Sequence, residues 1–369
     1  MKFRQCALAA GLAATAVAAN AGPTAEFYGL IDLYANYMHS SSGARIESIE
    51  DGSFYSSRVG VRGTEELGEG YSAKVQLETG FSGQNGAQSD TTRLFNRQAW
   101  VGVGTPYGDV RVGRQISPIY ARGCNIDYGC RSTGSLVNDF GLPVRFDNEV
   151  GFKSNRFYGV QADLQVSLPE SPVGNSPYIV LAGADWTNDV FTVGYAGARE
   201  RAPTHAVINK PVVYDNYFVN WNYGKGTVYL VYVHSNNSTA SGGINNGGTI
   251  VGNSGGYNAG TNPDLNHFYG IYQLSADYRI YDRLRIGGLW GKIDDQSGRQ
   301  RGATGGSIGA FYDWSKSTTI TAWLDTLHNQ TNGGWRPAAA GAVKDQFTTG
   351  TDVNGRTING VQLGITHRF

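Results

Sequence analysis

The chain has 369 residues, among them 52 Gly, 22 Tyr and 15 Phe but only 11 Pro and 2 Met. This composition favours strands and tight turns, because aromatic residues suit a pleated surface and glycine supplies positive φ at turns. The 30 basic and 30 acidic residues balance, which argues against a nucleic-acid partner, since binding phosphates requires a basic excess.

Residues 1–21 have the pattern of a secretory signal peptide. Lys2 and Arg4 precede an apolar run from Cys6 to Ala18, and residues 19–21 form an A-x-A cleavage site. After this segment no run of about eighteen apolar residues occurs, so no transmembrane helix is predicted. We therefore expect export from the cytoplasm, followed by removal of residues 1–21.

The first predicted strand, 27–37, shows an alternation that recurs along the chain. The apolar residues Phe27, Ile31 and Leu33 lie at odd positions, and the polar residues Tyr28, Asp32 and Asn36 lie at even positions. We call the odd or even position of a residue its parity. A period of two residues predicts a strand with one apolar and one polar face. Further segments of this kind follow at 57–63, 71–81, 94–103, 110–115, 144–153, 160–168, 178–186, 190–198, 214–223, 227–234, 268–278, 284–291, 307–314, 319–327 and 357–369.

The last segment ends on its apolar parity. Val361, Leu363 and Ile365 share that parity with the terminal Phe369, whereas the residues between them are mostly small or polar. By itself this segment fits a soluble β-sandwich. It equally fits a barrel strand whose outer face meets lipid and whose end lies in an aromatic girdle.

The connectors favour the barrel. Connectors of about three to six residues alternate with loops of about ten to thirty, which is the asymmetry of outer-membrane barrels. Sixteen strands, an even number, return both termini to the same side of the membrane. The sequence therefore predicts an all-β fold over residues 22–369: a 16-stranded antiparallel transmembrane β-barrel in the bacterial outer membrane, with long extracellular loops and short periplasmic turns.

The connector 117–143 is long and carries two cysteines. Cys124 and Cys130 enclose five residues, and an exported chain meets an oxidising compartment, so we expect a disulfide. The alternative is a pair of reduced thiols without a role. No constellation of histidines or carboxylates accompanies the pair, so no metal site is predicted.

Four stretches carry a resemblance to a known family: SRVGVRGTEELGEG, LFNRQAWVGVGTPYGDVRVGRQ, VRFDNEVGF and the terminal THRF. They resemble the Gram-negative general porins, most nearly the beta-proteobacterial branch. The resemblance implies a homotrimer whose third extracellular loop folds into the barrel, and it makes residues 117–143 the constriction loop. It implies a basic wall of Arg58, Arg97, Arg114 and Arg145, an acidic loop side of Asp127 and Asp139, and a C-terminal assembly signal at Phe369.

Parity tests this assignment of the arginines. Arg58 and Arg145 share parity with polar neighbours and are expected to face the lumen. Arg97 and Arg114 share parity with apolar neighbours, so a regular strand would point them at lipid, at a cost of about 2–4 kcal/mol at the midplane. A β-bulge or a strand end must therefore turn both of them inward.

These features predict a water-filled diffusion channel for small hydrophilic solutes and ions, with a modest anion preference set by the arginines. The alternatives are a channel specific for one anionic or polar solute, and a barrel that does not conduct. The six histidines lie in no recognisable catalytic or metal-ligand motif, so neither catalysis nor a cofactor is predicted. The expected partners are two further copies of the chain, outer-membrane lipid, lipopolysaccharide and the solutes.

Overall fold

A computed structural model describes residues 22–168, 178–200, 211–236, 268–338, 347 and 350–369, so the predicted signal peptide lies outside the described residues. The strands are β1 Thr24–Ser40, β2 Arg45–Asp51, β3 Arg58–Gly68, β4 Tyr71–Gly80, β5 Gln98–Thr105, β6 Gly108–Ile116, β7 Arg145–Ser154, β8 Val160–Ser167, β9 Ile179–Thr187, β10 Phe191–Glu200, β11 Val212–Asn222, β12 Thr227–Ser235, β13 Tyr269–Tyr281, β14 Leu284–Asp295, β15 Ala303–Asp313, β16 Thr318–Asn329 and β17 Thr357–Arg368. The helices are α1 Pro118–Ala121, a 3₁₀ turn Gly123–Asn125, α2 Leu136–Phe140 and α3 Gly350–Val353.

The strands close into one antiparallel barrel. From β3 onward each strand pairs with its neighbour in sequence, and β1 closes the sheet by pairing with β17. β2 and β3 occupy one barrel position, because β2 pairs with the second half of β1 and β3 with its first half. The barrel therefore has sixteen strand positions, as the sequence predicts.

The alternation of the final strand also agrees with the prediction. Leu363 is 60% exposed on the outer face, whereas the side chain of Gln362 is buried inside the barrel. The terminal Phe369 exchanges backbone hydrogen bonds with Gly29 on β1, at 3.0 and 3.1 Å. A side chain at Gly29 would meet the ring of Phe369, so glycine at this position leaves room for the aromatic terminus. Among the described residues, no helix is both long and apolar enough to cross a membrane.

The expected length of one long connector is wrong. The connection between β14 and β15 has seven residues, 296–302, although it lies at the end of the barrel that carries the long loops. The connection between β1 and β3, residues 41–57, has the expected length, but it contains β2, Arg45–Asp51, where the sequence suggests a polar loop. β2 escapes detection because its exposed positions include charged residues, which hide the period of two.

Residues 52–57, which we call the inner turn, leave the sheet between β2 and β3 and fold into the barrel. The buried carboxylate of Asp32 on β1 accepts hydrogen bonds from the backbone N–H groups of Ser53, Phe54 and Tyr55, at 2.8, 3.2 and 2.9 Å. It also accepts bonds from two hydroxyl groups, those of Ser53 and Thr366. This one carboxylate thus binds three consecutive backbone N–H groups of the inner turn.

Candidate pore constriction

The segment 117–143 folds into the barrel and crosses its interior. Ser117 caps α1 by accepting a hydrogen bond from the Tyr120 N–H at 3.0 Å, and Pro118 at the first helical position suits this start. Further along the segment, Tyr128 N–H donates to Ser275 Oγ at 3.0 Å, and Thr133 Oγ1 donates to Gln362 Oε1 at 2.7 Å. The loop therefore contacts β13 and β17 from inside the barrel, and its role as the constriction stays a prediction.

A buried ion cluster fastens the start of this loop to the wall. Arg122 lies 2.6 Å from Asp163 on β8 and 2.9 Å from Asp185 on β9, and all three side chains are about 5% exposed. Arg156 pairs with the second oxygen of Asp185. Gly183, between them on the wall, leaves the space that the Arg122 guanidinium occupies. Since each buried carboxylate has a cationic partner, the cluster is electrostatically satisfied.

Aromatic packing holds the far side of the loop. The ring of Tyr128 lies 6.0 Å from that of Phe311 and 5.6 Å from that of Trp323, on β15 and β16. Phe54 of the inner turn packs against the same two rings, at 5.1 and 6.4 Å. The loop and the inner turn thus meet in one aromatic cluster, which fills this side of the lumen.

Two of the predicted wall arginines share one carboxylate. Arg97 Nε lies 2.7 Å from Glu78 Oε1, and Arg58 Nε lies 3.7 Å from Glu78 Oε2. Arg97 immediately precedes β5, so its side chain turns inward at a strand end. Arg97 is thus one of the two arginines whose inward direction departs from regular alternation along a strand. Glu78 is absent from the sequence prediction, because a lone glutamate on a polar strand face gives no distinctive pattern.

The other departure is a β-bulge opposite Arg114. In the β6–β7 pairing Gly113 faces Glu149 and Gln115 faces Phe146, so β7 carries one extra residue. Arg114 donates to Asp147 Oδ1 and to the backbone oxygen of Asn96, each at 2.6 Å. The bulge thus lies on β7, beside Arg114, and not on the strand that carries this arginine.

The bulge reverses part of the predicted parity. Phe146 was expected to share the outer face with Val150 and Phe152, but it is buried in the interior aromatic and aliphatic core. Regular alternation therefore ceases to describe Arg145, which precedes the bulge. Its guanidinium nevertheless reaches the constriction loop, with Cζ 4.9 Å from the centre of the Tyr120 ring.

Tyr120 is the point where the loop meets the arginines. Arg131, on the same loop, places its guanidinium carbon 3.8 Å from the centre of the Tyr120 ring. Burial alone would raise the pKa of the Tyr120 phenol, but the charges of Arg131, Arg145 and Arg97 outweigh burial and hold that pKa well below its usual value. The phenol is therefore a titratable partner of the arginine cluster.

This arrangement predicts a pH dependence. A phenolate at Tyr120 would cancel one positive charge, so anion preference should fall as the pH rises through its depressed pKa, which lies below the usual value of about 10. The same ionisation stabilises the folded state, because the pKa of the phenol is lower in the folded than in the unfolded protein. This contribution to the free energy of unfolding appears as the pH rises through the folded-state pKa and is complete above about pH 10. Reversal potentials measured at a series of pH values up to about 10 check this fall in anion preference. Tyr120→Phe should remove the fall, and an equal fall in the variant would contradict the assignment.

The two cysteines of the loop are joined in a disulfide, and the joined turn positions Arg131. Cys130 and Arg131 both have positive φ, at 51° and 69°. A side chain at Gly123 would overlap the Arg131 side chain, so glycine at that position gives the guanidinium its place beside Tyr120. The sequence predicts the disulfide but not the roles of Arg131 and Tyr120, because both lie in an irregular loop where no periodicity marks them.

The two aspartates expected on the acidic side of the loop are buried. Asp127 accepts hydrogen bonds from the N–H groups of Gly129 and Arg131, both at 2.9 Å, and from Ser135 Oγ at 2.7 Å. Asp139 Oδ1 accepts from the Ala338 N–H at 2.7 Å. Burial raises the pKa of both carboxyl groups. These contacts support a bracing role, and an acidic face of the aperture at these residues stays a prediction.

The described residues contain no cluster of histidine, cysteine and carboxylate side chains that could hold a metal ion.

The chain is similar to known porins in sequence. A family model described as Gram-negative porin matches residues 7–332. An outer membrane porin protein of Bordetella pertussis is 31% identical over 179 residues, which cover 43% of this chain and 46% of that protein. Major outer membrane protein P.IB of Neisseria gonorrhoeae is 29% identical over 210 residues, covering 54% and 58%. The chain thus spans about half the length of the curated relatives it matches.

Solved structures show the same fold. An anion-selective porin from Comamonas acidovorans superposes with a TM-score of 0.74 at 17% identity, over 94% of this chain and 100% of that one. OmpT of Vibrio cholerae in its trimer form gives a TM-score of 0.61 at 15% identity, over 94% and 99%. The expectation that the chain is not an enzyme agrees with relatives that are porins. Because the family match covers most of the chain, the protein belongs to the Gram-negative porin family and is located in the outer membrane.

Proposed function

We propose that the protein is a water-filled diffusion channel for small hydrophilic solutes and ions, with a modest preference for anions. The observation that carries this proposal is the grouping of Arg58, Arg97, Arg131 and Arg145 around Glu78 and Tyr120. Four cations thus surround one carboxylate and one phenol. The location of this group, between the wall and the infolded loop, makes it the candidate for the narrowest part of the path.

The selectivity follows from uncompensated charge in a confined space. Unit charges about 4 Å apart near a protein surface interact by about 4 kcal/mol, so a cluster with an excess of arginines retains a strong positive potential. Low-dielectric walls focus that potential and raise the local concentration of anions. Solutes that exchange hydration for contacts with guanidinium groups pass, whereas apolar solutes are held back.

Replacing Arg58 and Arg145 together by Gln tests the proposal. The ratio of chloride to potassium permeability, obtained from reversal potentials in planar bilayers, should fall to about one, because half of the clustered cations are lost. Arg45→Gln provides a control, since Arg45 has a 71% exposed side chain on the β1–β2 hairpin, outside this group. An unchanged ion preference in the double variant would refute the role of the cluster.

A channel specific for one anionic or polar solute is the alternative. It would use the same arginines but would bind its solute tightly enough to interrupt the current. Block of the chloride current by a single carboxylate, phosphate or sugar at micromolar level would favour that alternative. Similar weak effects of many small anions would favour a general pore.

We also propose that the protein is a homotrimer embedded in outer-membrane lipid with lipopolysaccharide at its outer rim. The fold shared with a trimer form of OmpT supports the assembly. Ala35, a small exposed residue on the outer face of β1, permits close approach of a neighbouring subunit. Sedimentation equilibrium in density-matched detergent should give three times the chain mass, and a monomeric mass would contradict the proposal.

A further inference from the structure

A second basic region lies at the end of the barrel that carries the short turns. A cavity of 360 Å³ there is lined by Arg283, Asp313, Ser315, Lys316, Thr319 and Arg368. Three cationic side chains face one carboxylate, and Asp313 already accepts a hydrogen bond from Thr319 Oγ1 at 2.9 Å. The lining of this cavity, which we call the mouth cavity, is therefore net positive.

Tyr55 connects the mouth cavity to the constriction. The Arg368 guanidinium carbon lies 5.0 Å from the centre of the Tyr55 ring, and that of Arg58 lies 5.9 Å from the same centre. Both distances fall in the range of cation–π attraction. Arg58 belongs to the arginine group described above, and Arg368 lines the mouth cavity. One aromatic ring thus lies between the two basic regions.

The position of this ring is fixed by the inner turn. Its backbone N–H donates to the buried Asp32 carboxylate at 2.9 Å, and the preceding residue, Phe54, is anchored against Phe311 with ring centres 5.1 Å apart. Tyr55 itself remains partly exposed within the barrel. A partly exposed ring on a fixed backbone is available to solutes without an entropic cost of ordering the turn.

We propose that the mouth cavity and Tyr55 form a binding station for small carboxylates that carry an aromatic ring. The guanidinium and ammonium groups of the cavity would take the carboxylate, since charge-assisted hydrogen bonds to carboxylates are the strong ones. The ring of the solute would pack against Tyr55, where aromatic pairs add attraction beyond the area they bury. This inference rests on the proposed diffusion function and deepens it by naming a favoured class of solute.

Benzoate and cyclohexanecarboxylate provide the test, because they share one negative charge and a six-membered ring but only benzoate is aromatic. Each is added on the short-turn side of the full-length protein in a planar bilayer while the chloride current is recorded. Benzoate should reduce the current of the wild type at a concentration about threefold to tenfold lower than cyclohexanecarboxylate. Tyr55→Leu should abolish this difference, and Tyr55→Phe should preserve it.

The cationic half of the station is tested separately. Arg283→Gln combined with Lys316→Gln should raise the inhibitory concentrations of both acids together, whereas Lys225→Gln, at another short turn outside the cavity, should change neither. Equal inhibition by the two acids in the wild type, a preserved difference in Tyr55→Leu, or no effect of the Arg283 and Lys316 replacements would overturn the inference. A conducting, anion-preferring channel with any of these results would leave the proposed function intact. A wild type without current steps would overturn both.

Discussion

Replacing Arg122 by Met is expected to free the start of the constriction loop from the barrel wall. Met keeps much of the side-chain volume but leaves the buried carboxylate of Asp163, 2.6 Å from the guanidinium in the native protein, without its cation. Breaking a buried pair in this way costs about 3–5 kcal/mol of unfolding free energy. The loop should then sample positions away from the wall, so single-channel conductance should rise and its noise should increase.

Arg156→Met is the matched control for Arg122. Arg156 pairs with the same Asp185, but its side chain is 36% exposed, and ion pairs with access to water contribute only about 0–1 kcal/mol. We therefore expect near-native conductance and a small change in the urea concentration that unfolds the barrel. If both variants behave alike, or if Arg122→Met retains native conductance and stability, the buried cluster does not hold the loop.

Replacing Asp32 by Ala should have the second largest effect. The native carboxylate accepts five hydrogen bonds, and its loss leaves the donors of the inner turn without an acceptor inside the barrel. Each buried donor without a partner costs about 1–3 kcal/mol, so we expect a total loss of at least about 3 kcal/mol of unfolding free energy. The turn should detach from the wall, and Tyr55 and Arg58 should lose their fixed positions.

Asp32→Asn distinguishes the hydrogen bonds from the charge. The amide keeps one carbonyl oxygen as an acceptor, so its stability should lie between those of the wild type and Asp32→Ala. Urea titration of the reconstituted protein measures the order of the three stabilities. Single-channel recording should show an increased conductance only for variants in which the inner turn has detached from the wall. Wild-type stability in Asp32→Ala would contradict the assignment of Asp32 as the residue that holds the inner turn.

The sequence predicts the barrel well because its determinant is local and periodic. Val361, Leu363 and Ile365 reveal an outward face through spacing alone, and the same reasoning finds sixteen strand positions. β2 is missed because its outer face carries charged residues at a hairpin, where lipid no longer demands apolar side chains. The inner turn is missed because its organiser, Asp32, lies about twenty residues away on another strand.

The arginine group is partly predictable for the same reason. Parity shows that Arg97 needs a strand end or a bulge, and this residue immediately precedes β5. At Arg114, which lies outside the group, the bulge is on the paired strand β7. Parity assigns Phe146 to the wrong face, because its inward turn depends on an extra residue that leaves no mark in the alternation. The contacts of Tyr120 and Arg131 arise from the shape of an irregular loop, where no periodicity applies and where distant residues meet through tertiary packing.

The reversal potential of the reconstituted wild type under a gradient of potassium chloride shows directly whether the channel prefers anions. We expect discrete current steps and a potential whose sign shows chloride to be more permeant than potassium, because guanidinium groups outnumber carboxylates around Tyr120. Preference for potassium, or the absence of current steps from correctly folded protein, would contradict this expectation.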